Sequence, residues 1–141
     1  DTLELHTTVA HAIADELPRH ARVAVEGAGA PRFWAPRSLA ILDLVGLNDH
    51  VLARHRGDVP AKLCHLVRQR PTHFAIPEEW VPQFTPVFRL RTLARFEDPV
   101  YTQVEPPRAL TVVLLAVDDT HPAWIEGCGA ADPELAPAPA P

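Results

Sequence analysis

The feature that most restricts the fold of this sequence is the alternation of short apolar segments with amphipathic helical patterns. Apolar residues at intervals of four predict a helix at residues 3–17, and a second helix is predicted between Asp58 and Pro71. Most short apolar segments outside these helices are bounded by Gly, Pro or Asp and predict buried strands. The predicted strands are, in chain order, residues 22–26, 39–44, 72–76, 87–96 and 110–117.

Strands separated by helical patterns favour a parallel sheet, because two neighbouring parallel strands need a crossover connection. We therefore predict an α/β fold, a three-layer sandwich with a Rossmann-like mixed sheet. The strands near Val23, Ile41 and Phe74 are expected to be mutually parallel and central. The last two strands have no evident helix between them and are expected to add antiparallel to this core.

The length of 141 residues fits one domain. Beyond Asp119 the strand and helix patterns decay, and the end of the chain alternates Ala with Pro, which is typical of an extended tail. We predict a single α/β domain at residues 1–119 and a Pro/Ala-rich tail at residues 120–141. The sequence contains no Met, so we expect that residue 1 is not a translation start and that a longer parent chain exists.

The charge and hydropathy of the chain exclude some classes of function. The net charge of −5 argues against a nucleic-acid partner, because phosphate-tracking proteins are usually basic. The longest apolar run, residues 109–117, is much shorter than the ~20 residues that span a bilayer. The two cysteines, Cys64 and Cys128, could pair in an oxidising compartment, but Cys64 lies among core-like residues and we expect two unpaired thiols.

The common motifs for cofactors and catalysis are absent or incomplete. Gly27-Ala28-Gly29 follows a predicted strand, but Pro31 interrupts the segment and Arg32 stands where a dinucleotide fingerprint has its third glycine. These glycines suit a tight turn instead. The one serine is not in a nucleophile elbow, and the histidines lack the three- or four-residue spacing of helical metal ligands. We predict no cofactor, no metal and no catalytic residue.

Asp43 is an acid inside an apolar strand, where an unpaired carboxylate costs several kcal/mol. We expect it to lie at the carboxyl end of its strand and to accept hydrogen bonds from the turn that contains Gly46, Asn48 and Asp49. The carboxyl ends of parallel strands are also where open α/β sheets bind ligands. Trp34 offers an aromatic face for a sugar ring at that edge. Asp43 as a purely structural cap and Trp34 as a core residue are the alternatives.

Residues 23–50, V-A-V-E-G-A-G-A-P-R-F-W-A-P-R-S-L-A-I-L-D-L-V-G-L-N-D-H, carry a resemblance to a known family. They resemble the carboxy-terminal soluble region of bacterial polytopic membrane proteins that are similar to GT-C glycosyltransferases, which use polyprenyl-phosphate sugars. That family often has Asp where this chain has Glu26, and Tyr near Phe33. The residues that the resemblance marks as a binding or structural signature are Glu26, Gly27, Gly29, Asp43, Gly46, Leu47, Asn48 and Asp49.

The resemblance implies a parent with membrane helices before Asp1 and places this domain on the extracytoplasmic face. The catalytic acids of such transferases lie between early membrane helices, so no catalytic residue is carried over to this chain. We therefore expect a noncatalytic domain that positions a glycan, an acceptor or a polyprenyl-phosphate sugar beside the membrane-embedded part. The alternatives are an independent Rossmann-like enzyme or small-molecule binder, and a protein-interaction module.

Overall fold

The computed structural model of the chain describes residues 2–26, 39–44, 59–101, 106 and 108–128. This part contains four α-helices, one 3-10 turn and five strands. The elements are α1 (Thr2–Glu16), β1 (Arg22–Val25), β2 (Ala40–Asp43), α2 (Val59–Gln69), β3 (His73–Pro77), the 3-10 turn (Glu78–Trp80), α3 (Val81–Phe84), β4 (Phe88–Tyr101), β5 (Arg108–Thr120) and α4 (Pro122–Cys128).

The five strands form one mixed sheet in the order β2-β1-β3-β5-β4. Strand β1 is parallel to β2 and to β3, with Val25 opposite Asp43 on one side and Ala75 on the other. Strand β5 runs antiparallel to both β3 and β4. The predicted α/β class, the parallel strands near Val23, Ile41 and Phe74, and the antiparallel final pair are confirmed.

One part of the predicted topology is wrong, because β2 lies at an edge of the described sheet and not at its centre. The apolar content of a strand reports how deeply its faces are buried, and not its place in the strand order. Ile41 and Leu42 are less than 10% exposed although β2 is an edge strand. The sequence pattern therefore could not distinguish this strand from an interior one.

Both faces of the sheet bury apolar side chains, and alternate residues of each strand point to opposite faces. On one face, Val23 and Val25 of β1 pack in a cluster with α1. On the other face, Ala24 packs with Phe74 of β3 and Leu66 of α2. The helical residues of the first cluster recur at the spacing of about four that the sequence shows, and they are Leu5, Val9 and Ile13.

Phe74 is the centre of the second cluster and is fully buried. Its ring centroid lies 5.0 Å from that of Phe84 and 5.3 Å from that of Phe88, in tilted arrangements. Such aromatic pairs contribute about 0.5–1.5 kcal/mol each beyond the burial of their area. These contacts hold α3 and the start of β4 against β3.

The hairpin of β4 and β5 is longer than predicted. The strands extend to Tyr101 and begin at Arg108, and the pairing shifts register in three places along its length. The predicted strand ended at residue 96, and Glu97 and Pro99 lie exposed beyond it, so the local pattern was not apolar enough to predict the end of β4. Pro99 is compatible with β4 because this strand is the other edge of the described sheet.

The described fold continues past the predicted domain boundary at residue 119. Strand β5 ends at Thr120, and α4 follows directly and ends at Cys128, which is buried. A helix of seven residues is too short to give a clear periodic signal, which explains why the sequence predicted a tail here. Residues 129–141 lie outside the described residues.

Cys64 and Cys128 form a disulfide with their Cα atoms 5.0 Å apart, so the expectation of two unpaired thiols is wrong. This bond joins α2 to α4 across 64 residues of sequence. A second link runs parallel to it, because Arg68 Nε donates a hydrogen bond of 2.8 Å to the carbonyl oxygen of Cys128. The core-like neighbours of Cys64 belong to the same cluster as Cys128, so burial and pairing are compatible.

Candidate functional site

The carboxyl ends of the three parallel strands meet at one edge of the sheet. Glu26 follows β1, Leu44 follows β2, and the 3-10 turn from Glu78 to Trp80 follows β3. The register aligns the end of β1 with that of β2, and β3 extends two residues further, from Ala75 to Pro77. Ligands of open α/β sheets bind in crevices at this edge, which makes it the candidate site.

Two of the eight residues predicted for the site, Glu26 and Asp43, are described, and the structure places both at this edge. The other six lie outside the described residues, as does Leu47 of the same signature. They are Gly27, Gly29, Trp34, Gly46, Asn48 and Asp49.

Asp43 is the last residue of β2 and is 2% exposed. It makes a polar interaction in the folded chain, as a buried carboxylate requires. The donors predicted for it, in the turn of residues 46–49, lie outside the described residues. The prediction that a buried acid ends this strand is confirmed, while the identity of its donors stays a prediction.

Glu26 lines a small cavity on the α1 face of the sheet. The cavity has a volume of about 20 Å³, which is roughly the space of one water molecule. Burial raises the pKa of the Glu26 carboxyl; nearby His6 opposes this shift, and Glu79 adds to it. The described residues that line the cavity are Leu5, His6, Val9, Val25, Glu26, Ala75 and Val112.

A larger cleft of about 340 Å³ opens at the same edge, on the α2 face of the sheet. We call it the Trp80 cleft. Its apolar lining residues come from the second core cluster, and the polar residues in its described lining are Lys62 and Gln83. The described residues that line it are Leu44, Lys62, Leu63, Leu66, Trp80, Gln83 and Phe84.

The sequence reasoning missed the polar and aromatic residues of this cleft. Lys62 is the one lysine of the chain, which was an available signal, whereas Trp80 and Gln83 carry no recognisable motif. Lys62 belongs to the first turn of α2, and Trp80 and Gln83 follow β3. The packing of α2 against this face of the sheet brings these segments together.

The described side chains at this edge are suited to binding. Trp80 is half-buried, and its packing against the second cluster fixes the indole beside the cleft. Lys62 supplies a positive charge, and Gln83 supplies both a donor and an acceptor.

The two cysteines are joined to each other, so neither offers a thiolate nucleophile. Among the described residues, no three His, Cys, Asp or Glu side chains are arranged to hold a metal ion.

No helix in the described part of the chain combines the length and the apolar character that a membrane span needs.

Comparisons with known proteins bear on the family of the chain. No curated protein and no solved structure matches the sequence. A family model, Domain of unknown function (DUF8728), matches residues 2–125. This match covers most of the chain, and the protein belongs to that family.

Proposed function

We propose that this chain is a noncatalytic extracytoplasmic domain of a membrane-bound, glycosyltransferase-like protein, and that it positions a glycan or acceptor at the carboxyl edge of its sheet. The membrane-embedded remainder of the same polypeptide is its partner. The observation that carries the proposal is the Cys64–Cys128 disulfide. The resemblance of residues 23–50 supplies the class of parent protein.

The disulfide supports the extracytoplasmic location because disulfides persist in oxidising compartments and are rare in the cytosol. The bond closes a large loop and ties the last described helix to α2. Its Cα separation of 5.0 Å is within the ordinary range for disulfides, so the two helices need no movement to form it. The covalent bond between α2 and α4 is therefore expected in an oxidising environment.

The finer architecture of the proposal is a three-layer, Rossmann-like sandwich. It is supported by the packing of α1 on one face of the sheet and of α2 on the other. It is also supported by the parallel order of β2, β1 and β3. In such an architecture, the edge that holds Asp43, Glu26 and the Trp80 cleft is the edge that binds ligands.

The redox state of the two cysteines in the cell tests the proposed location. Cells that express the full reading frame are quenched in acid, and the protein is treated with a maleimide polymer before and after reduction. We expect Cys64 and Cys128 to be modified only after reduction. Modification of both thiols without reduction would place the domain in a reducing compartment and overturn the proposed location.

The proposed role is tested by titrating the purified 141-residue chain with monosaccharides and polyprenyl-phosphate analogues. We expect weak binding, with Kd on the order of millimolar, and a change in tryptophan fluorescence, because Trp80 lines the cleft. Trp34 and Trp124 contribute to the same emission, and the variant Trp80→Phe identifies the part of the change that comes from Trp80. If no carbohydrate or lipid-phosphate probe binds, the positioning role is wrong.

A second candidate function, an independent small-molecule-binding protein, is favoured by the Trp80 cleft alone. Its volume lies at the lower end of the range of about 300–1,000 Å³ that is typical of small-molecule pockets. Fractionation of the expressing cells distinguishes the two functions. Recovery with the membranes supports the tethered domain, and recovery in the soluble extracytoplasmic fraction supports the independent binder.

A further inference from the structure

We propose that the Trp80 cleft binds a single sugar ring that carries a carboxylate or a phosphate group, with Lys62 contacting the anionic group and Trp80 contacting the ring. This inference rests on the proposed function and adds to it the place and the charge of the ligand. Neither Lys62 nor Trp80 belongs to the signature of residues 26–49 that the sequence predicted.

The volume of the cleft limits the size of the ligand. About 340 Å³ is enough for one ring with its substituents, but it is small for an oligosaccharide or for a long lipid chain. Two of the residues that line it, Leu44 and Trp80, follow the ends of β2 and β3.

The aromatic wall of the cleft favours a ring with an apolar face. Trp80 is half-buried, since one part of the indole packs against the second core cluster while another part lines the cleft. An aromatic side chain that is fixed in this way contacts the C–H face of a pyranose at little cost in conformational entropy. Gln83, on the same wall, has a donor and an acceptor for hydroxyl groups.

Lys62 gives the cleft its preference for an anion. It lies in the first turn of α2, which contains no acidic residue, so its ammonium and the positive end of the helix dipole act together. A lysine is unfavourable for the helix at this position, because helix N-termini favour acids. A bound anion would reverse this unfavourable interaction.

The surroundings of Lys62 also differ from those of other cations on the surface. Arg91 forms an ion pair with Asp118, and Arg95 forms one with Glu78. Within the described ranges, no carboxylate forms an ion pair with Lys62. Lys62 also lines the cleft, so a bound anion is the partner that we propose for its charge.

The inference is tested by isothermal titration calorimetry of the full chain with four probes at low ionic strength. Glucose supplies the ring without charge, glucuronate adds a carboxylate, glucose 1-phosphate adds a phosphate, and inorganic phosphate supplies charge without the ring. We expect glucuronate and glucose 1-phosphate to bind about tenfold more tightly than glucose. We expect inorganic phosphate to bind more weakly than glucose 1-phosphate, and added salt to weaken both charged sugars.

Three variants connect this preference to Lys62. Lys62→Gln should reduce the affinity for the charged sugars about tenfold and leave the affinity for glucose nearly unchanged. Lys62→Arg keeps the charge and should retain the preference to within about threefold. Arg89→Gln is the matched control, because Arg89 is an exposed cation on β4, at the opposite edge of the described sheet, and its loss should change no affinity.

The possible results separate this inference from the proposed function. If glucose and the charged sugars bind equally, or if Lys62→Gln retains the preference for charged sugars, the anionic site is wrong while the positioning role stands. If inorganic phosphate binds as tightly as glucose 1-phosphate, the contact with the ring is wrong. If none of the four probes binds, both the anionic site and the positioning of monosaccharides fail. Tighter binding of glucose 1-phosphate than of glucuronate supports the inference and identifies phosphate as the preferred group.

Discussion

Asp43 and Arg22 are charged residues within the short parallel strands, and both are less than 10% exposed. Arg22 begins β1 and donates a hydrogen bond of 2.6 Å from Nε to the carbonyl oxygen of Gln69, at the end of α2. Burial lowers the pKa of its guanidinium, and the charge of Arg70 lowers it further, yet arginine remains a cation in ordinary buffers. Asp43 ends β2, at the carboxyl ends of the parallel strands, whereas Arg22 lies at their amino ends. The two groups therefore require partners at opposite ends of the parallel strands.

We predict that Asp43→Ala lowers the free energy of unfolding by about 1–3 kcal/mol, because its interaction partner loses the carboxylate. Thermal unfolding followed by circular dichroism should show a Tm lower by about 2–12 °C. Asp119→Ala is the control, because Asp119 is exposed on β5 and its change should remain within about 0.5 kcal/mol. Equal Tm values for the two variants would contradict a structural role for Asp43.

Glu26 gives a prediction for pH dependence. Burial raises the pKa of this carboxyl above its ordinary value of 4.5, so the folded protein holds the proton more tightly than the unfolded chain does. By linkage, the Glu26 contribution to the free energy of unfolding falls as pH rises from the unfolded pKa to the folded pKa. Above the folded pKa, the contribution stays at its lower value.

Glu26→Gln should therefore raise the free energy of unfolding at pH 7, and the gain should disappear near about pH 4. His6 of α1 and Glu79 of the 3-10 turn act on the same carboxyl, so urea unfolding of each variant is compared with the wild type at every pH. Glu126→Gln, at an exposed residue of α4, is the matched control. A gain of equal size at pH 4 and pH 7 would show that the charge of Glu26 is not its cause.

At the scale of elements, helix α4 depends on two links to α2. It has only seven residues, and isolated helices of that length are not stable in water. The Cys64–Cys128 disulfide and the hydrogen bond from Arg68 to Cys128 hold it against α2, and Trp124 packs on the second cluster. The described end of the chain is therefore stabilised by long-range contacts that no local pattern indicates.

We predict that removing the disulfide with the double variant Cys64→Ala/Cys128→Ala lowers the free energy of unfolding by about 2–4 kcal/mol. In the chain-entropy description, a loop of this length is near the upper end of that range. Urea unfolding with and without reductant measures the effect. Reductant should shift the curve of the wild type and leave that of the double variant unchanged. An equal shift of both curves would assign the effect of the reductant to something other than this bond.

The sequence predicted most of the described elements because their patterns are local. The periodic residues of α1 and the apolar strand around Phe74 both lie where expected. The edge position of β2, the end of β4 beyond residue 96 and helix α4 depend on pairing across the sheet or between helices, which a local pattern does not contain. The same limit applies to the candidate site: the predicted sheet edge holds Glu26 and Asp43, but Lys62 and Trp80 come together only in the folded chain.

At the scale of the whole molecule, the sheet divides the described chain into two sides with different surroundings. At the carboxyl edge, the α1 side holds Glu26 beside a cavity the size of one water molecule, and the α2 side holds the Trp80 cleft. The Glu26 carboxyl, whose pKa is raised, thus lies on the opposite side of the sheet from the cleft that is large enough for a ligand. The sheet therefore separates this carboxyl group from the described lining of the cleft.

We therefore predict that the isolated chain binds sugars without transferring or hydrolysing them. A glycosidase-type reaction needs two carboxyl groups on either side of the bond that is broken. The described lining of the Trp80 cleft contains no carboxylate, and the resemblance implies that transferase acids lie elsewhere in the parent. Incubation of the purified chain with nucleotide-linked and lipid-linked sugars, analysed by mass spectrometry, should give no product above a heat-inactivated control. Turnover that is abolished by Asp43→Asn or Asp49→Asn in a folded variant would show instead that this edge of the sheet is an active site.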